Sequence, residues 1–161
     1  MAAELMEAYL GRISGRSVLS GQISRGDVRE IDCALLYSDM QGSTALTQSL
    51  SPKKYVAAVN RYFDCVAGAV HDHGGEVLKF VGDGLLAIFP FDGRRRLPED
   101  VCEAALSATR EAFQRREEIL TEDRMDFGIG LHMGAAVYGN VGTERRLDFI
   151  GGRNECGTKC R

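Results

Sequence analysis

The first half of the chain combines a short apolar run with longer segments of helical spacing. Ile31–Ser38 is largely apolar, which is typical of a strand whose two faces are both covered. Gly42-Ser43-Thr44 supplies turn and cap residues for a helix that begins near Ala45. Ser51-Pro52 begins a second helix, which ends at His73-Gly74-Gly75. The apolar residues that predict its buried side are Val56, Val59, Phe63, Val66 and Val70.

The second half predicts a hairpin, another long helix and further strands. Val77–Val81 and Leu85–Phe89 are apolar runs joined at Gly82-Asp83-Gly84, a typical hairpin turn. A helix is predicted from Pro98 to about Ile119, and its buried stripe is Val101, Ala105, Ala108 and Ala112. Further strands are predicted at Phe127–Met133, Ala135–Tyr138 and Leu147–Ile150.

This order of elements predicts the fold class. The sequence β-α-β-β-α-β is the split pattern of ferredoxin-like proteins, in which helices cover one face of an antiparallel sheet. We therefore expect an α+β ferredoxin-like βαββαβ sandwich. Residues 1–30 are expected to form a polar N-terminal preface or linker, and residues 31–161 to form one catalytic domain.

Composition narrows the classes of function. The chain has 161 residues, 44% of them hydrophobic, and a formal net charge of −3, which gives no broad basic surface for nucleic acid. No apolar run is long enough to span a bilayer, and the first residues lack a hydrophobic signal core. The five cysteines suggest a reduced, cytoplasmic protein rather than a disulfide framework. Cys156 and Cys160 have loose zinc-ligand spacing, but no second pair completes such a site.

Two aspartates, each close to a glycine in the sequence, are the candidate functional residues. Asp39 follows the first strand and Asp83 lies in the hairpin, and each alone reads as an ordinary turn residue. In the predicted fold both turns open on the same edge of the sheet. A carboxylate pair there suits Mg²⁺ or Mn²⁺, which take oxygen ligands and share them with phosphate. Backbone N–H groups of Gln41–Thr44 would receive phosphate oxygens.

Three segments in order resemble a known family. Ser38–Thr44 (SDMQGST), Lys79–Gly84 (KFVGDG) and Gly130–Gly142 (GLHMGAAVYGNVG) are similar to motifs of the class III adenylate and guanylate cyclases. The resemblance runs from about Ile31 to Gly151. It implies a lyase that converts ATP to 3′,5′-cyclic AMP and pyrophosphate in signal transduction.

Site residues follow from this resemblance by position. Asp39 and Asp83, with the backbone carbonyl of Met40, would bind two divalent cations, Mg²⁺ or Mn²⁺. Substrate would be bound by the phosphate-binding segment and by two residues that recognise adenine rather than guanine. These residues are Gly42, Ser43, Thr44, Lys79 and Asp148. Lys79 also has a plain interpretation, as a lysine that protects an edge strand from aggregation.

The C-terminal segment departs from the family pattern. Family sites form between two head-to-tail subunits, one of which supplies an Asn and an Arg from a helix after the strand containing Asp148. Here Asn154 is one residue early, Lys159 replaces the arginine, and Gly157 weakens the helix, so Asn154 and Lys159 are weak candidates. The final helix and strands of the family are also missing, so we expect a C-terminally truncated domain.

These departures leave alternatives open. The partner would be a second copy in a homodimer or a related cyclase subunit. The main alternative is a catalytically impaired, nucleotide- and metal-binding pseudo-cyclase that regulates or complements a full-length cyclase. A two-metal enzyme that makes cyclic dinucleotides would show a Gly-Gly-[Asp/Glu]-[Glu/Asp]-Phe turn, which Val81–Gly84 does not match.

Overall fold

The computed structural model describes residues 28–91, 97–119, 125–140, 147–152 and 157–160, with side chains for residues 30–91, 97–119 and 125–137. Three helices lie in these residues: α1 (Ser43–Ser49), α2 (Pro52–Asp72) and α3 (Pro98–Ile119). The strands are β1 (Val28–Gln41), β2 (Glu76–Val81), β3 (Gly84–Pro90), β4 (Asp126–Asn140), β5 (Leu147–Gly152) and β6 (Gly157–Cys160).

One antiparallel sheet contains all of these strands, in the order β2-β3-β1-β4-β5, with β6 also paired to β4. β1 lies at its centre. It pairs with β3 over Cys33–Asp39 and with β4 along its whole length. The order of elements and the antiparallel pairing confirm the predicted βαββαβ fold class.

The core fills the space between one face of the sheet and helices α2 and α3. Alternate residues of a strand point to opposite faces, and the core side of β1 is formed by Ala34, Leu36 and Met40. A smaller cluster of Cys33, Ile88 and Ala136 lies on the other face of the sheet. No helix within the described residues has the length and apolar character needed to cross a membrane.

Helix α3 buries the predicted stripe, whereas α2 buries a different one. Val101, Ala105, Ala108 and Ala112 of α3 are all buried, as predicted. In α2 the prediction is confirmed for Val66 and Val70 but is wrong for Val56, which is 55% exposed. Residues two apart in a helix point about 200° apart, so burying Ala58 turns Val56 to solvent. The buried residues of α2 are Ala58, Tyr62, Cys65, Val66, Ala69 and Val70.

Several strands also differ in extent from the prediction. β1 begins at Val28 and ends at Gln41, longer at both ends than Ile31–Ser38. The two strands expected at Phe127–Met133 and Ala135–Tyr138 are one strand, β4. Its ladder with β1 runs without a break past Gly134, which pairs with Cys33.

A buried hydrogen bond joins the core to the central strand. The Tyr62 hydroxyl of α2 donates to Ser38 Oγ of β1 at 2.9 Å, and both residues are fully buried. The Tyr62 ring also packs against Phe127 of β4, with 5.4 Å between ring centroids. Tyr62 therefore fixes α2 against β1 beside Asp39.

Replacing Tyr62 with phenylalanine tests this link. Tyr62→Phe removes the donor to a buried hydroxyl, so we expect the free energy of unfolding to fall by about 1 kcal/mol. The measurement is urea denaturation followed by circular dichroism. Tyr55→Phe, at a half-buried position of the same helix, is the control and should change stability by less than about 0.5 kcal/mol. Equal effects of the two variants would contradict the prediction.

Candidate active site

The two predicted carboxylates come together at one end of the sheet. Asp39 on β1 pairs with Gly84 on β3, and Asp83 is the residue just before Gly84 in the hairpin turn. The Met40 amide donates a hydrogen bond to the Asp83 carbonyl at 3.3 Å. This bond fixes the hairpin turn against the end of β1. The two aspartates therefore occupy neighbouring backbone positions, although they are far apart in the sequence.

The hairpin turn is short and uses glycine for a physical reason. Val81 pairs with Gly84, so Gly82 and Asp83 form the whole turn. Gly82 has a φ of 62°, in the left-handed region that side chains disfavour. The two-residue turn places the Asp83 backbone next to Met40.

Gly84 leaves a cradle between three oxygen atoms. A Cβ built on Gly84 would lie 2.8 Å from the Ser38 carbonyl oxygen, 3.1 Å from Asp39 Oδ1 and 3.2 Å from Tyr37 Oη. The first distance is shorter than real Cβ contacts allow. The absence of a side chain at Gly84 is therefore what lets these oxygen atoms converge.

Burial, together with the charges of both carboxylates, raises the pKa values of Tyr37 and Tyr62. Burial raises the pKa of Tyr37, and the charges of Asp39 and Asp83 and a hydrogen bond to Asp39 raise it further. Burial also raises the pKa of Tyr62, against the opposing effect of its hydrogen bond to Ser38, and the same two carboxylates add to the increase. Asp39 and Asp83 therefore create a shared region of negative potential at this end of the sheet.

These features fit a divalent cation. The cradle includes a carboxylate oxygen of Asp39, which can serve as a metal ligand, and the negative potential of Asp39 and Asp83 favours a positive ion. Within the described residues, no group of three or more His, Cys, Asp or Glu side chains forms a metal-binding cluster. Mg²⁺ is commonly held by one or two carboxylates together with substrate phosphates. The pair of Asp39 and Asp83 matches that donor set.

The predicted phosphate segment follows the cradle directly. The Met40 side chain is buried, and the Met40 backbone lies beside the hairpin turn. Gly42 adopts a left-handed conformation, with φ 71° and ψ 17°, and is the N-cap of α1. The helix begins at Ser43 rather than near Ala45, so Ser43 and Thr44 lie in its first turn. Gly42 and Thr44 are exposed, and Ser43 is half-buried.

Lys79 is aligned across the sheet with Tyr37, which lies two residues before Asp39. It pairs with Leu86 of β3, and Leu86 pairs with Tyr37 of β1. Directly paired residues share a face of the sheet, and Tyr37 lies two residues before Asp39 on the same strand. By this pairing Lys79, which is half-buried, belongs to the face of the sheet that carries Asp39.

The remaining predicted site residues lie elsewhere. Asp148 is on β5 and pairs with Gly139, near the far end of β4, whereas Asp39 pairs with Gly128 near its start. The structure therefore does not bring Asp148 to the carboxylates of the same chain. Asn154 lies outside the described residues.

Lys159 lies on a strand and not on the helix that the family pattern has at this place. It lies on strand β6 and pairs with Gly130 of β4. Gly157, which was expected to weaken a helix, begins this strand and pairs with His132. Pairing with β4 supplies the segment with backbone hydrogen bonds that a helix would otherwise have provided.

Sequence reasoning missed Tyr37. Its hydroxyl lies at the cradle, and the side chain is 44% exposed. The signal was its position two residues before Asp39 in a strand, which puts both side chains on one face.

Comparison with known proteins identifies similar sequences. The family model for the adenylate and guanylate cyclase catalytic domain matches residues 28–153. The uncharacterized protein Rv1319c of Mycobacterium tuberculosis is 37% identical over 116 residues, covering 72% of this chain and 21% of that protein. The uncharacterized protein Rv1320c of the same organism is 33% identical over 151 residues, covering 91% and 25%. This chain therefore spans about a quarter of the length of these curated relatives.

Solved structures share the fold. The guanylyl cyclase Cya2 is 28% identical with a TM-score of 0.60, covering 81% of this chain and 66% of that chain. The adenylyl cyclase CyaB from P. aeruginosa is 21% identical with a TM-score of 0.67, covering 77% and 66%. A bacterial light-regulated adenylyl cyclase is 23% identical with a TM-score of 0.72, covering 91% and 43%. Both adenylyl and guanylyl cyclases are therefore among the similar structures.

Substitution of Gly84 tests the cradle. Gly84→Ala places a methyl group against the Ser38 carbonyl, so we expect the free energy of unfolding to fall by about 1–3 kcal/mol. Urea denaturation measures the change. Gly130→Ala is the matched control, because the nearest atom to its Cβ, the Tyr37 carbonyl oxygen, is 4.0 Å away. A Gly84→Ala variant as stable as Gly130→Ala would show that the cradle has more room than these distances allow.

Proposed function

The chain belongs to the adenylate and guanylate cyclase catalytic domain family, and from this membership we propose that it converts ATP to 3′,5′-cyclic AMP and pyrophosphate. The observation that carries the proposal is the pairing of Asp39 with Gly84, which places Asp39 beside the backbone of Asp83 at one end of the sheet. In the reaction the ribose 3′-oxygen bonds to the α-phosphorus, and the bond from that phosphorus to the leaving pyrophosphate breaks. The proton of the 3′-hydroxyl passes to solvent.

Catalytic domains of this family use divalent metal ions. We propose that Asp39 and Asp83, with the Met40 carbonyl, hold two of them, Mg²⁺ or Mn²⁺. Such ions lower the pKa of a bound hydroxyl and neutralise charge on a triphosphate. The role of the two aspartates is to bind and orient the metal ions. The hydrogen bond from the Met40 amide to the Asp83 carbonyl keeps the two backbone segments together.

The triphosphate would lie against the start of α1. Gly42 and Thr44 are exposed there, shortly after Asp39 in the sequence, and main-chain N–H groups at a helix start are suited to phosphate oxygens. Gly42, Ser43 and Thr44 are therefore proposed to receive the phosphates. Binding at this position would leave the ribose near Asp39.

The proposed preference for ATP comes from the types of two residues. Lys79 and Asp148 are the residues that the family resemblance assigns to adenine. Within one chain, Lys79 shares the face of Asp39, whereas Asp148 pairs near the other end of β4. In a head-to-tail pair, the far end of one sheet would meet the near end of the partner's sheet. This separation supports a homodimer, or a complex with a related cyclase subunit, as the working form. The proposed location is the cytoplasm.

A pseudo-cyclase is the second candidate, and strand β6 favours it. The family pattern has the transition-state residues on a helix, whereas Lys159, a weak candidate, lies on a strand paired with β4. With Lys159 on a strand, the chain would bind nucleotide and metal and complete the site of a second cyclase subunit. Loss of a charge-stabilising group typically lowers the rate by about 10²–10³-fold.

The test is a product assay on the purified chain. With Mn²⁺ and ATP we expect cyclic AMP, and with GTP less cyclic GMP. Asp39→Ala and Asp83→Ala should each lower the rate by about 100-fold or more, because a metal ligand is lost. Asp64→Ala, at an exposed position of α2, is the matched control and should retain activity.

The same assay separates the two candidates. Product from the chain alone supports the cyclase. Product that forms only after mixing with a cyclase chain that carries the Asn/Arg helix and lacks the metal aspartates supports the pseudo-cyclase. A folded chain that gives no product in either experiment would contradict both.

A further inference from the structure

We propose that Tyr37 is a positioning residue, whose hydroxyl holds the Asp39 carboxylate in the orientation that binds a divalent cation. The inference deepens the proposed function and rests on it for the identity of the metal site. Tyr37 itself is not assigned a contact with the reacting atoms. Its action is through Asp39.

The backbone places the two side chains together. Tyr37 and Asp39 are separated by one residue on β1, and alternate residues of a strand lie on the same face. The intervening Ser38 points to the opposite side, where it is buried and accepts the hydrogen bond from Tyr62. This buried hydrogen bond fixes β1 from its core side, so the Tyr37 and Asp39 side chains leave the strand at defined positions.

The neighbouring strands leave room for the pair to meet. Tyr37 Oη and Asp39 Oδ1 lie 3.2 and 3.1 Å from the point that a Cβ of Gly84, on β3, would occupy. On β4, the residues paired with Tyr37 and Asp39 are Gly130 and Gly128. Asp39 therefore has glycine on both neighbouring strands, and the only paired residue with a side chain is Leu86 of β3, opposite Tyr37.

The contact has the chemistry of a second-layer metal interaction. Ligating carboxylates are commonly hydrogen-bonded by an outer group that sets their orientation, and loss of such a group typically costs about 10- to 100-fold in metal affinity. Because Tyr37 is 44% exposed, water competes for the same oxygen, and the lower end of that range applies. A tyrosine exposed here for other reasons would have no effect on metal affinity.

The experiment measures metal binding without nucleotide. Mn²⁺ is titrated into the full chain, and the free ion is followed by electron paramagnetic resonance. For Tyr37→Phe we expect the dissociation constant for Mn²⁺ to rise about 10-fold. Tyr55→Phe, which removes a hydroxyl from α2 outside the site, is the control and should bind Mn²⁺ like the wild type. Asp39→Ala marks complete loss of the site.

A second readout separates positioning from a general structural effect. In the cyclase assay, Tyr37→Phe should raise the half-saturating Mn²⁺ concentration more than it lowers kcat at saturating Mn²⁺. Its thermal unfolding midpoint should match that of Tyr55→Phe. A lower midpoint with an unchanged Mn²⁺ dissociation constant would assign Tyr37 a structural role and overturn the inference.

The outcomes also distinguish this inference from the proposed function. A chain that binds Mn²⁺ in a Tyr37-dependent way, but makes no cyclic nucleotide, supports the inference and counts against the cyclase activity. A chain that makes cyclic AMP with the same Mn²⁺ affinity in Tyr37→Phe overturns the inference and leaves the activity standing. Failure of the wild-type chain to bind Mn²⁺ would overturn the inference as well.

Discussion

The pairing of β1 with a strand on each side is the constraint on which the rest of the structure depends. β1 pairs in register with β3 and with β4, and its residues alternate between two faces. Leu36, Ser38 and Met40 face the core, whereas Tyr37 and Asp39 face the candidate site. A shift of one residue would exchange these faces, so the same hydrophobic burial that stabilises the fold also fixes the position of the carboxylate.

The core and the site are coupled through neighbouring residues of one strand. Tyr62 lies in an aromatic cluster with Phe127, which in turn stacks on Phe113 at 5.1 Å between centroids. Its hydroxyl bonds to Ser38, the residue before Asp39. The position of a metal-binding side chain is therefore determined partly by how α2 and α3 pack on the far side of the sheet. Well-packed interiors resist small displacements, which favours a site that is formed before substrate arrives.

Much of the fold and the centre of the site could be predicted from the sequence, because local patterns determine them. The stripe of α3 follows from helical spacing, and the Gly82-Asp83 turn follows from hairpin chemistry. Predictions failed where distant pairing decides. The two strands predicted on either side of Gly134 are one strand, because the ladder to β1 continues through that residue. Lys159 lies on a strand because its segment pairs with β4. In α2, helical spacing predicted that Val56 is buried, whereas Val56 is exposed and Ala58 and Tyr62 lie in the core.

The pairing of Asp39 also has a consequence for how the chain folds. Its neighbours in the sheet are Gly84 and Gly128, so the site is built from three segments that are remote along the chain. Contacts between remote segments form slowly, because the entropy of closing each long loop is lost before the contact contributes. The β2–β3 hairpin and the helices can form locally, but β1 gains its second neighbour only after β4 has been synthesised. The two carboxylates are brought together when β1 pairs with β3, so a nascent or partly folded chain without that pairing presents them as separate, solvated charges.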